Sequence, residues 1–73
     1  MVLTYIGNNL RLARQQTKLN QRQLAELSHT PQSIISDIEL GKRKPWPKLA
    51  RRLSKVMGVS IKDLFPEGIT NGR

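Results

Sequence analysis

Seventy-three residues make one small domain and leave no room for a second; at this size only roughly 60% of the unfolded surface is hidden, so the core has to be compact. With no cysteine and one histidine, His29, the chain is propped by neither disulfides nor a thiolate or histidine metal cluster, and no cofactor is expected. Thirteen Lys and Arg against five Asp and Glu give a net charge of +8, too apolar a setting at 37% hydrophobic residues for a disordered basic tail, and point to a polyanionic partner, nucleic acid before an anionic membrane.

In chain order, Thr4 is placed to cap a first helix whose inward face carries Ile6, Leu10, Ala13 and Thr17, opposite Arg11, Gln15 and Lys18. Asn20 opens a second helix with Leu24, Ala25 and Ser28 inward, and His29-Thr30 breaks it. Thr30 is the expected cap of a third helix, with Pro31 at the first helical position, where its missing N–H costs nothing. That helix runs to about Leu40, turns Ile35 and Ile38 inward, and stops at Gly41. Residues 42–47 form a basic, proline-stiffened loop. Leu49, Ala50, Leu53 and Met57 stripe a fourth helix ending at Gly58. Ser60 with Asp63 three residues on resembles a capping box for a last short helix through Phe65, which Pro66 and Gly68 end. The domain is expected to span 1–66, with 67–73 a frayed tail. No segment alternates with period two, so the expected fold is all-α, a compact bundle of five helices. Met1–Ile6 has neither the basic start nor the long apolar run of a signal peptide, and no apolar run could span a bilayer; the chain reads as soluble and cytoplasmic.

The charge is blocked rather than spread. Residues 1–25 carry four cations and no anion, 26–41 three anions and no cation, and 42–55 seven cations and no anion. Seven cations in fourteen residues repel one another unless something anionic meets them.

Residues 21–40 carry the functional signal. Two short helices joined by so short a turn must cross steeply, which asks for a small residue at the contact, Ala25, and for one tolerant of positive φ in the turn, His29. With Ile35 and Ile38 anchoring the later helix, its outer face shows Gln32, Ser33, Ser36 and Asp37. Short polar side chains without long basic ones suit base edges better than phosphates.

The run Leu19-Asn20-Gln21-Arg22-Gln23-Leu24-Ala25-Glu26-Leu27-Ser28, then Ser33-Ile34-Ile35-Ser36-Asp37-Ile38-Glu39, then Gly41-Lys42-Arg43, and finally Met57 to Phe65, resembles the lambda-repressor-like (Xre/Cro-type) helix-turn-helix family over residues 4–65. The resemblance implies a five-helix bundle with the helix-turn-helix at about 20–40, binding operator DNA as a two-fold homodimer with the helix at 31–40 in the major groove. His29 departs from the family's usual glycine. Asp37 departs from its usual long polar or basic residue, and either accepts from a cytosine N4 or points away from the groove.

Gln32, Ser33 and Ser36 then take base contacts, a glutamine pairing with adenine N6 and N7. Pro31 either touches a thymine methyl or simply starts the helix, and Ile34 either meets a methyl or covers the helix pair. Gln21 is implied to bind a phosphate and brace the recognition helix; Lys42, Arg43 and Lys44 line the DNA backbone, with Arg11 and Arg22 at the other flank. Arg14 and Glu39 are implied to form a structural ion pair. Leu64 belongs to the core, while Trp46, Ile61 and Phe65 either form the contact between subunits or merely finish the monomer core. Enzymatic readings fail because His29 has no acid or nucleophile at a recognisable spacing, and Asp63 and Glu67 make no convincing carboxylate pair. The expectation is a transcriptional regulator of phage, mobile-element or restriction–modification type, on an inverted-repeat operator and with no small-molecule effector. The alternative is a DNA-binding antitoxin or adaptor that engages another protein through its C-terminal apolar surface. A membrane-surface peptide is disfavoured, since Gly41, Pro45 and Gly58 cut the chain into short pieces.

Overall fold

Leu10, Leu24, Ile35, Ile38, Leu49, Leu53 and Leu64 are fully buried, and Ala13, Ala25, Ala50, Met57 and Phe65 fill the gaps between them. In the computed structural model, which describes residues 8–70, these side chains come from α1 (Leu10–Gln16), α2 (Gln21–Leu27), α3 (Gln32–Glu39), α4 (Pro47–Met57), α5 (Ile61–Leu64) and the residue after it. The described residues hold helices and no strand. None of these helices is long and apolar enough to cross a membrane. Every apolar stripe is too short to hide itself, so each helix is stable only against the others. The closest pairing is α2 with α3, with α1 packed on α3 and α4 on both α2 and α5.

Four successive helices end by one device. Beyond each lies a residue at positive φ: Lys18 (62°), His29 (55°), Gly41 (78°) and Gly58 (68°). In the first three, the N–H of that residue and of the next turn back onto the last helical carbonyls, as a Schellman ending requires. Lys18 donates to Gln15 and Leu19 to Arg14; His29 donates to Glu26 and Thr30 to Ala25; Gly41 donates to Ile38 and Lys42 to Asp37. After α4, the N–H of Gly58 and of Val59 both reach the Ser54 carbonyl. His29 therefore adopts the left-handed conformation that its place in the turn demands, and Lys18 does the same without having been singled out.

Helix starts are more varied. Asn20 and Gln23 form a reciprocal capping box at the head of α2, with bonds of 2.7 and 2.9 Å. Ser60 accepts from the Asp63 N–H at the head of α5. One expected start, that of the third helix, is displaced. The first described helix begins at Leu10, whose N–H is held by the Asn8 side chain; Thr4 and Ile6 lie outside the described residues. The third begins at Gln32 with Pro31 in the capping position; Thr30 is buried and its hydroxyl donates to the Ser28 carbonyl instead of capping the helix. Thr17 is exposed at the end of α1 rather than in the core, its hydroxyl turned onto the Ala13 carbonyl.

Past α5 the chain is held further than a frayed tail would be. Ile69 packs on the core and the Thr70 N–H donates to the Pro45 carbonyl at 2.9 Å, which straps this segment to the basic loop. Residues 71–73 lie outside the described residues.

The shared helix ending makes a paired test of stability by urea denaturation. Nothing lies within 4 Å of a methyl built on Gly58, so Gly58→Ala meets only backbone strain and is expected to cost about 1–2 kcal/mol. His29→Gly removes that strain at the cost of a looser unfolded chain, and is expected to be neutral or stabilising by up to about 1 kcal/mol.

Candidate nucleic-acid interface

Helical geometry divides α3 sharply. Ile35 and Ile38 are 0% exposed, while Gln32 and Ser33 stand in solvent and Ser36 and Asp37 are half-exposed beside them. The expected orientation of this helix is the observed one. Ile34 is half-buried and packs against the core, so its covering role is the one seen. Pro31 is exposed at the head of the helix.

The position of α3 is set by one carboxylate. Glu39, 3% exposed, receives the Arg14 Nε at 2.6 Å and its Nη2 at 3.2 Å. Arg14, 11% exposed, uses its remaining nitrogen on the Leu19 carbonyl at 3.0 Å. Gln21, at the first turn of α2, donates its amide to the same carboxylate at 3.1 Å. The carboxylate is thus shared by α1, α2 and α3. The side-chain oxygen of Gln21 faces the Gln32 amide at 3.5 Å, a long contact that leaves Gln32 mostly free. Gln32 and Glu39, seven residues apart, lie on one edge of α3, and Gln21 spans both. From the other side, the Asn8 amide donates to the Ile38 carbonyl at 2.9 Å.

Around this helix the basic residues fall into two groups. Lys42, Arg43 and Lys44 are exposed in the loop beyond its C-terminal end. The Arg43 Nε lies 3.8 Å from the Asp37 carboxylate, so that carboxylate has a cation at hand. Arg11 and Arg22 are exposed on α1 and α2, Arg22 in a loose pair with Glu26 at 3.6 Å.

Phe65, just after α5, is 3% exposed and belongs to the core, which leaves little of it for a contact between subunits. Trp46 and Ile61 are half-buried and also lean on the core. Three features went unread in the sequence. Leu40 is 54% exposed and follows Ser33, Ser36 and Asp37 on the outer face; the wheel that puts Ile35 and Ile38 inside already places it there. The resemblance implies that Gln21 braces α3, but its partner Glu39, 18 residues away, leaves no sign in the spacing. Arg52 of α4 reaches the Ser28 carbonyl at 3.5 Å, beside the turn into α3.

Comparison with known proteins follows the same elements. A helix-turn-helix family profile matches residues 10–64, and the chain belongs to that family. It is similar to the HTH-type transcriptional regulator PuuR of Escherichia coli, 43% identical over 61 residues, which are 84% of this chain and 33% of that protein. The competence pilus inhibition repressor of Acinetobacter baylyi is 35% identical over 60 residues, 82% of this chain and 54% of the relative. Multiprotein-bridging factor 1 of Candida albicans is 32% identical over 57 residues, 78% of this chain and 38% of its own. The chain thus spans from a third to about half the length of these relatives.

Because Glu39 anchors three helices, Glu39→Ala strands the Arg14 guanidinium and is expected to lower unfolding free energy by about 3–5 kcal/mol. The exposed Arg22–Glu26 pair provides the contrast: Arg22→Ala is expected to cost under about 1 kcal/mol. Urea denaturation of both variants checks the difference.

Proposed function

We propose that the chain is a sequence-specific transcriptional regulator that binds double-stranded DNA with α3 in the major groove. The observation that carries this reading is the division of α3: an apolar edge wholly buried and an amide-and-hydroxyl edge left in solvent. Membership of the helix-turn-helix family supports it, as do relatives named as a regulator and a repressor.

In this reading Gln32 and Ser33 make the principal base contacts, and Pro31 and Ser36 border them. Gln32 offers an amide that pairs with adenine N6 and N7, a contact worth about 1–3 kcal/mol of discrimination. Gln21 keeps one amide hydrogen for a phosphate while its other bond braces α3. The nearness of Arg43 favours Asp37 turning toward the loop rather than reading a cytosine. Lys42, Arg43 and Lys44 follow the backbone on one side and Arg11 and Arg22 on the other. These phosphate contacts supply most of the affinity and the groove contacts the choice of sequence.

Two copies on an inverted repeat would present their α3 helices to half-sites about 34 Å apart. With Phe65 inside the core, Trp46 and Ile61 are the residues of the expected contact that retain exposed surface. The adaptor reading, in which Ile61 and Phe65 engage another protein, keeps only Ile61 as a partly exposed contact.

Binding isotherms on an operator selected from random duplexes, against a scrambled duplex at physiological salt, test the reading. Preference for the selected duplex is expected; equal affinity would end it. Gln32→Ala is expected to relax choice at one or two base pairs with the salt dependence unchanged. Lys44→Ala is expected to weaken all sequences alike and reduce the salt slope by about one unit.

A further inference from the structure

The face of α4 turned away from the core is a concentrated, unanswered positive charge. Leu49, Ala50, Leu53 and Met57 point inward. At 100° per residue, Lys48, Arg51, Arg52 and Lys55 fall together on the opposite side, and Lys48, Arg51 and Lys55 are exposed. The helix contains no acidic residue. The ion pairs among the described residues are Arg14–Glu39, Arg22–Glu26 and Arg43–Asp37, and none reaches α4.

Two observations tie this face to the groove-reading helix. Lys42, Arg43 and Lys44 run from the end of α3 toward the start of α4, so the positive strip is continuous along the chain from 42 to 55. From the middle of α4, Arg52 reaches the Ser28 carbonyl at 3.5 Å, beside the turn that leads into α3. An eleven-residue helix is about 16 Å long, which matches several phosphates along one strand.

We infer that Lys48, Arg51 and Lys55 form a second phosphate-binding surface, which grips the backbone of the same duplex outside the base pairs that α3 reads. The inference rests on the proposed DNA-binding function and adds a flanking footprint to it. The ligand is the phosphodiester backbone, recognised by charge and without base choice. Its effect is to make affinity depend on duplex length beyond the recognised sequence.

The test is a variant carrying Lys48→Gln, Arg51→Gln and Lys55→Gln together. All three residues are exposed, and Arg52 is left intact because it contacts the fold. Its urea midpoint is compared with the unmodified protein's first; should the triple variant be less stable, the three single variants replace it and their slopes are summed. Binding is then measured against salt on a random-sequence hairpin of 6 base pairs, about 20 Å long and so shorter than the 34 Å domain, and on a random-sequence duplex of 40 base pairs. On the longer duplex the slope is expected to fall by about 2.7 units, three phosphates at about 0.9 each. The unmodified protein then loses about 40-fold more affinity than the variant between 50 and 200 mM salt. On the shorter duplex the two slopes are expected to agree within about one unit. Equal slopes on the longer duplex would overturn the inference, as would an equal loss on both lengths. Capture of a second labelled duplex by the unmodified protein alone would overturn assignment to the same duplex. An unchanged slope together with lost binding to phosphatidylserine vesicles would assign the face to a lipid surface instead. Because these duplexes carry no selected site, the outcome is separate from sequence preference. A slope difference without any preference for a selected operator would sink the regulator reading and leave the phosphate surface standing.

Discussion

The fold turns on where one carboxylate is put. Glu39 sits at the last turn of α3 and is almost wholly buried. A charge so placed is costly unless every lone pair is met. It is met by the Arg14 guanidinium from α1 and the Gln21 amide from α2, so its demand for donors fixes three helices relative to one another. A hydrophobic core sets which residues are inside but is forgiving about sliding and rotation. A fork of hydrogen bonds is less forgiving. The consequence reaches the outer surface, because Gln21 also faces Gln32 at the other end of the same helix edge. The network that satisfies the buried charge thus ends at Gln32, the residue proposed to read a base.

The second constraint is the brevity of the connections. Helices of seven or eight residues are not stable alone, and their turns must reverse the chain without leaving carbonyls stranded. One solution recurs: a left-handed residue after the helix, with two amides folded back on the last turn. Glycine is cheapest there, yet two of the four positions hold Lys18 and His29. The strain at His29 lies in the turn between α2 and α3, whose buried hydroxyls on Ser28 and Thr30 are all satisfied by backbone carbonyls.

Much of this was legible before any coordinates. Apolar spacing marked the core positions from Leu24 to Met57, and Gly41 and Gly58 marked helix ends, because these signals are local. The left-handed His29 followed from the shortness of the turn, and the Arg14–Glu39 pair from the family resemblance. The errors share a physical origin. Thr17 and Thr30 are acceptable face and cap residues by local rules, but each turns its hydroxyl onto a nearby backbone carbonyl instead, and Asn8 holds the first N–H of α1. For Phe65 the sequence leaves an inward and an outward role open, because a residue after the last helix carries no periodicity to say which way it faces; it is buried. Gln21's bond to Glu39 and Arg52's reach to Ser28 are long-range and leave no trace in spacing.

The central claim is that the exposed edge of α3, held in place by Glu39, is the part that enters DNA. The most direct measurement is nuclear magnetic resonance of the protein bound to its selected duplex, with side-chain amides and methyls assigned. Intermolecular nuclear Overhauser effects from the Gln32 amide and Ser33 methylene to major-groove base protons, such as cytosine H5 and thymine methyls, are the result this account requires. Contacts to those protons from α1 or α5 instead, with Gln32 and Ser33 silent, would contradict it.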